Sequence, residues 1–195
     1  MTGLRERKKQ ATRVALREAA LRLALERGVD NVRVDDIAAA AGVSPRTYNN
    51  YFSSREEAIV AGVTAEREAR VAEIVARRAG EVGLAEAVVE AVVGVYTGDS
   101  RPEVLSLITG SLREGFVASA GGIEGGLARV VGERVGDARV GRVLAAGVVG
   151  AVRVALDEWV EVRGGGLVVV SGSLEGLIRR AVGVLVPALE AAEAG

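Results

Sequence analysis

The stretch VDDIAAAAGVSPRTYNNYF, residues 34–52, decides how this chain is read. Asp35 and Asp36 fall in the first turn of a short helix, where carboxylates meet the positive end of the helix dipole. Ile37 and Ala41, four residues apart, share one face. Ala38, Ala39 and Ala40 carry little bulk, so a second helix can cross closely. Gly42 follows, the residue type that most easily ends a helix in a left-handed conformation, and Val43 fills the gap between the helices. Ser44 offers an N-cap oxygen, and Pro45 takes the first helical position, where its missing N–H costs nothing. A short helix, a tight turn and a second short helix in this order form a helix-turn-helix over about residues 35–52, whose second helix is expected to enter a DNA major groove.

The second helix, predicted to span about Pro45 to Tyr51, carries an unusual set for a purely structural two-turn helix. Arg46 suits guanine or phosphate, Asn49 and Asn50 suit adenine, and the hydroxyls of Thr47 and Tyr51 suit phosphates. Tyr48 and Phe52, spaced i and i+4, are expected to anchor the helix inward. Ser54 and Glu57 form an S-x-x-E capping box that opens the next helix, and Arg55 in its first turn is a candidate phosphate ligand.

Working outward, the run LREAALRLALERG places Leu16, Ala19, Ala20, Leu23 and Ala24 on one helical stripe ending at Gly28. Lys8 and Lys9 sit with Arg5 and Arg7 in an N-terminal arm, readable either as a disordered solubilising tail or as an arm that contacts DNA. Residues 1–55 hold eleven Lys or Arg against six Asp or Glu, whereas the whole chain of 195 residues has a net charge of −1. A basic end on an acidic body suits a terminal nucleic-acid-binding domain.

Composition narrows the remaining classes. With 49% hydrophobic residues the chain can bury a core. It has no Cys and no His, which removes thiol chemistry, the commonest general base and the commonest zinc ligand. No enzyme activity, metal or cofactor is expected. The N-terminus has no apolar core of a signal peptide, and apolar stretches are broken before spanning length. A soluble, cytoplasmic protein without a membrane partner is expected.

The quoted segments LREAALRLALERG, VDDIAAAAGVSPRT and YFSSREEAI resemble the TetR (tetracycline-repressor-type) family of bacterial transcription regulators, over roughly residues 8 to 60. The resemblance implies an all-α protein: an N-terminal three-helix helix-turn-helix domain at 1–60 and a helical effector-binding and dimerisation domain at 61–195. It also implies a homodimer on a near-palindromic double-stranded operator, repressing in response to a small molecule, apolar or amphipathic in keeping with the interior. Three positions depart from the pattern: Ala24 stands where Phe is often found, and two others bear on DNA binding. Arg33 stands where Thr commonly caps the second helix, a change worth ~1 kcal/mol, and Asn49 stands where Tyr is frequent. These departures keep open a second reading, a helical ligand-binding or interaction protein whose head no longer recognises an operator.

In the body, helices are expected over about Arg55–Arg78, Leu84–Tyr96, residues 101–118, Asp137–Val162 and Ser173–Leu189, with a weakly defined, Gly-broken stretch from Ile123 to Val135. The segment LVVV at 167–170 is read as a loop or the frayed start of the last helix, because it has no obvious partner strand. Of 26 Gly, 21 lie after residue 80, which means either close helix approaches or a pliable body. Tyr96, Ser106, Thr109, Arg113, Phe116 and Trp159 are candidate effector contacts, or equally core and surface residues. The family commonly pairs its last two helices across a two-fold axis, which here points to Ala151, Ala155, Leu174, Ile178, Ala181 and Leu185 as the dimer interface.

Overall fold

The computed structural model of the protein describes residues 2–98, 122–163, 167–170 and 172–195. These residues form two compact units, one from residues up to 63 and one from residue 64 onward. The first contains helix α1 (Thr2–Arg27), a 3₁₀ turn (Val29–Asn31), α2 (Val34–Ala40), α3 (Pro45–Tyr48) and the start of α4 (Arg55–Arg77). Leu16, Ala19, Ala20, Leu23 and Ala24 of α1 are all buried, as the stripe predicted. They pack with Ile37, Ala38, Tyr48, Phe52, Ala58 and Ile59, and each large apolar side chain there contributes about 1.5–3 kcal/mol by leaving water. A Cβ on Gly62 of α4 would meet the Arg17 carbonyl at 2.6 Å and Leu21 Cβ at 2.7 Å. Only a glycine lets these two helices approach so closely.

The N-terminal stretch is neither a loose arm nor a tail. It forms the first turns of α1, which runs back to Thr2, consistent with the Leu, Arg, Glu, Lys, Gln and Ala that fill residues 4–11, all good helix formers.

The second unit holds the rest of α4, α5 (Leu84–Thr97), α6 (Glu124–Val135), α7 (Ala138–Trp159), a hairpin of β1 (Val160–Arg163) and β2 (Leu167–Val170), α8 (Leu174–Gly183) and α9 (Val186–Ala194). Helix α5 is buried on most of its surface, from Leu84 to Tyr96. Gly136, with φ of 73°, ends α6, and the Asp137 carboxylate accepts from the N–H groups of Arg139 and Val140 to open α7. The end of α9 is tied down by Glu193, whose carboxylate accepts from the Leu84 N–H at 2.7 Å and from Arg134 Nε at 2.6 Å. The Leu84 N–H and Arg134 together hold the Glu193 carboxyl below the usual range. No helix among the described residues is long and apolar enough to cross a membrane.

Four sequence expectations change here. The Gly-broken stretch after Ile123 is the regular helix α6, because its glycines are contact points: a Cβ on Gly126 would meet Glu68 Cγ at 2.9 Å. A Cβ on Gly141 of α7 would strike the Ala128 carbonyl and come within 2.6 Å of Gly132 N. Close approach therefore explains these glycines, whereas a Cβ on Gly94, Gly150 or Gly183 would meet nothing within 4 Å among the described residues. LVVV is a strand, since the last residues assigned to the long helix, Val160–Arg163, leave it and pair antiparallel with Leu167–Val170. The final helix is two helices. Pro187 in the first turn of α9 has no N–H, and its ring excludes a helical carbonyl four residues back, where α8 stops at Gly183.

The fourth change concerns the expected interface. Ile178 and Ala155 are covered by the chain itself, at 0% and 1% exposure, so they are core residues. Ala151, Leu174, Ala181 and Leu185 remain partly exposed. The large apolar side chains left most open nearby are Val143 and Val154 on α7 and Val184 beyond α8.

Candidate nucleic-acid interface

The geometry of the interface starts at two caps. Gly42, with φ of 69°, closes α2, and its N–H and that of Val43 return to the carbonyls of Ala39 and Ala38. Ser44 Oγ then accepts from the Thr47 N–H at 3.1 Å, with Pro45 in the first turn. At the other cap, Arg33, the side chain forms no capping hydrogen bond. A guanidinium has only donors and cannot satisfy the N–H groups of a helix start.

Helix α3 is shorter than predicted. The helix ends at Tyr48: Asn49 still bonds to Pro45 and Phe52 to Tyr48, but Asn50 and Tyr51 between them make i to i−3 turns onto Thr47 and Tyr48. Asn is a poor helix former, and the tighter turn brings Phe52 back into the core four residues after Tyr48. The two rings lie 5.9 Å apart, and the Arg13 guanidinium sits 5.1 Å from the centre of the Phe52 ring. Tyr48, fully buried, donates its hydroxyl to the Ser54 carbonyl at 2.7 Å. Burial, and then the carboxylates of Glu57 and Glu56, push the Tyr48 phenol up to about 12.

With the aromatic pair inward, the opposite side of α3 is polar and open. Ser44, Pro45, Arg46, Asn49 and Asn50 are exposed, and Thr47 and Tyr51 are half-buried. Thr47, Asn50 and Tyr51 line one wall of a cleft of about 940 Å³ whose other wall is α1, through Arg5, Glu6, Lys8, Lys9 and Thr12. Sequence reasoning separated these two sets; they converge only because the first turns of α1 are helical.

Arg55 serves another purpose than the sequence suggested. Its Nη1 donates to the carbonyls of Asp30 and Val32, at 3.0 and 2.8 Å, and its Nε to Glu56 at 2.6 Å. It clamps the turn before α2 to the start of α4, and only Nη2 is left outside these bonds for a phosphate. The capping box is also redistributed. Ser54 Oγ accepts from the Glu57 N–H, but Glu57 reaches back to the N–H and hydroxyl of Ser53, which lower its carboxyl below the usual range.

Of the expected effector contacts, Ser106, Thr109, Arg113 and Phe116 lie outside the described residues. Tyr96 and Trp159 are buried at 6% and 8% exposure. Sequence reasoning missed Arg67, the one charged residue in the core among the described residues, whose guanidinium lies 4.8 Å from the Tyr96 ring centre. An arginine in a charged helix carries no sequence signal that it faces inward.

Comparison with known proteins agrees with this geometry. Residues 16–61 match the family described as bacterial regulatory proteins, tetR family. The HTH-type transcriptional regulator TcmR of Streptomyces glaucescens is 42% identical over 79 residues, 40% of this chain and 35% of TcmR. The matched part thus spans about a third of that curated relative. Among solved structures, RolR in complex with resorcinol superposes over 95% of this chain and 88% of its own, with 18% identity and a TM-score of 0.52, a likeness of fold. A TetR-family regulator from Streptomyces coelicolor A3 covers 95% of this chain and 96% of its own, at 24% identity and a TM-score of 0.46.

Proposed function

We propose, from the match of residues 16–61 to the tetR family of bacterial regulatory proteins, that this chain is a sequence-specific, DNA-binding transcriptional repressor of the cytoplasm, with no catalytic step. The observation that carries the reading is the two-sidedness of α3. Its aromatic pair is buried in the core while Arg46 on the helix and Asn49 and Asn50 in the turns that continue it stand exposed. These are side chains suited to base edges in a major groove. In this reading Arg46, Asn49 and Asn50 read bases, Thr47 and Tyr51 hold phosphates, and Ser44 and Pro45 set the helix start. Arg33 offers a further cation at the start of α2.

The partner we propose for the body is a second copy of the chain. Val143 and Val154 on α7 and Val184 after α8 are 66%, 50% and 78% exposed, and α7 packs against α8. The three valines and the half-exposed Ala151, Ala181 and Leu185 give an apolar surface that a two-fold mate would cover. Two heads then address half-sites about one DNA turn apart, roughly 34–36 Å, which makes the operator near-palindromic. Control by a small molecule in the body requires that the molecule prefer one of two arrangements. Buried Tyr96, Trp159 and Arg67 are the residues proposed to sense it. The domain division in this reading is a DNA-binding head at 1–60 and an effector and dimerisation body at 61–195.

Selection of duplexes from a random pool by the purified protein tests the central claim. Enrichment of an inverted repeat, lost on Arg46→Ala or Asn50→Ala at a cost of ~1–3 kcal/mol each, is the expected result. A protein that enriches no sequence, or variants that bind as tightly as the parent, would refute it.

A further inference from the structure

Residues 3–11 of α1 are exposed throughout, and the first buried residue of the helix is Leu16. About two and a half turns therefore stand clear of the core. At 3.6 residues per turn, Arg5, Lys8, Lys9 and Thr12 fall within an arc of about 100°. Arg7 lies on the other side and bonds back to the Gly3 carbonyl at 3.1 Å. The face carrying the three cations is the one that lines the cleft shared with Thr47, Asn50 and Tyr51. That cleft holds three cations and a single carboxylate, Glu6, and its α3 wall supplies two hydroxyls and an amide. Hydroxyls, amides and cations in one open channel are the donor set that a sugar–phosphate backbone takes up.

Resting on the reading of α3 as a DNA-recognition helix, we infer that the cleft between α1 and α3 holds the backbone of one DNA strand, and that its cations are presented by a helix rather than by a flexible arm. Helical presentation matters physically. It fixes Arg5, Lys8 and Lys9 on one side before DNA arrives, so less side-chain and backbone freedom is lost on binding. Glu6 at the edge of the same face opposes the phosphates. It sets a ceiling on sequence-independent affinity and so leaves discrimination to the base contacts of α3.

Three variants test this against two 30-bp duplexes, one selected from a random pool by the parent protein and one scrambled. The triple variant Arg5→Gln, Lys8→Gln, Lys9→Gln should bind both duplexes at least roughly tenfold more weakly and lower the salt slope of log K by about 2.7, at ~0.9 per phosphate contact. Gln10→Pro keeps every charge but removes the N–H and displaces the Glu6 carbonyl. It should lose most of the affinity that Arg5 and Lys8 supply. Glu6→Gln should tighten binding to both duplexes alike. All three sites are exposed, so unchanged melting midpoints confirm that the core is intact. An unaltered salt slope in the triple variant, or a Gln10→Pro protein that binds like the parent, overturns the inference while leaving the regulator reading in place. Weakened binding of Glu6→Gln to the selected duplex alone would also overturn it, by making Glu6 a base reader. A parent protein that enriches no duplex from the pool overturns the regulator reading and this inference together.

Discussion

Tyr48→Phe should cost stability at neutral pH and recover it at alkaline pH, with the two effects meeting near pH 11. At pH 8 the variant loses the hydroxyl bond to the Ser54 carbonyl, worth about 1 kcal/mol net. The parent carries a liability that the variant lacks. Its phenol titrates at about 12 in the folded state against 10.0 in the unfolded chain. Because the folded value is the higher one, the stability from the neutral phenol is complete below pH 10 and is lost as pH rises toward 12. The loss is on the order of 1 kcal/mol at pH 11 and grows further toward pH 12. Urea denaturation of both proteins at pH 8, 10 and 11 reads the difference directly, with every other titrating group common to the pair. A difference that stays constant from pH 8 to 11 would refute the claim that burial of this phenol couples the recognition helix to the core.

Other substitutions probe separate parts of the structure. Gly141→Ala must push α7 away from backbone atoms of α6 and should destabilise by roughly 1–3 kcal/mol in chemical denaturation. Gly94→Ala on α5, where a Cβ would meet nothing among the described residues, should stabilise by roughly 0.5–1 kcal/mol, and destabilisation there would sink the close-approach account of these glycines. Val143→Glu with Val184→Glu should give a folded monomer by light scattering, whereas Ile178→Glu should unfold the chain; a dimeric double variant would remove this face as the interface. Glu193→Gln should flatten the acid limb of the stability curve. The depressed carboxyl stabilises the chain above the ordinary carboxylate range, and that contribution is lost as pH falls through its folded-state value.

Local signals carried the helix-turn-helix because every choice in it is made by neighbours in sequence. Gly42 is needed for its φ, Ser44 for its oxygen, Pro45 for its missing N–H, and Tyr48 with Phe52 for their i, i+4 spacing. The same locality made the stripe of α1 and the start of α5 readable. Where a residue's role depends on an element distant in the chain, sequence alone misassigned it. LVVV lacked a partner until α7 ended at Trp159 and freed Val160–Arg163 to pair with it. Gly126 looks like a break, and Gly141 like a weak point inside a helix, until Glu68 and Gly132 are seen against them. Ile178 belongs to the same apolar stripe as Leu185, yet it is buried by its own chain while Leu185 stays partly open. Arg55 looks like a phosphate ligand until the carbonyls of Asp30 and Val32, more than twenty residues away, take its guanidinium.

The sequence by itself determined the resemblance of the helix-turn-helix segment to the TetR family, the helical class, the caps and the inward anchors of the recognition helix, because dihedral preference, capping and helical periodicity act within a few residues. Only the tertiary structure decided which apolar faces are used up inside the chain, which glycines are contacts, and that the cations of α1 stand across a cleft from Asn50 and Tyr51. Those outcomes depend on packing between segments far apart in the chain, where burial and excluded volume act on pairs of residues that no local pattern connects.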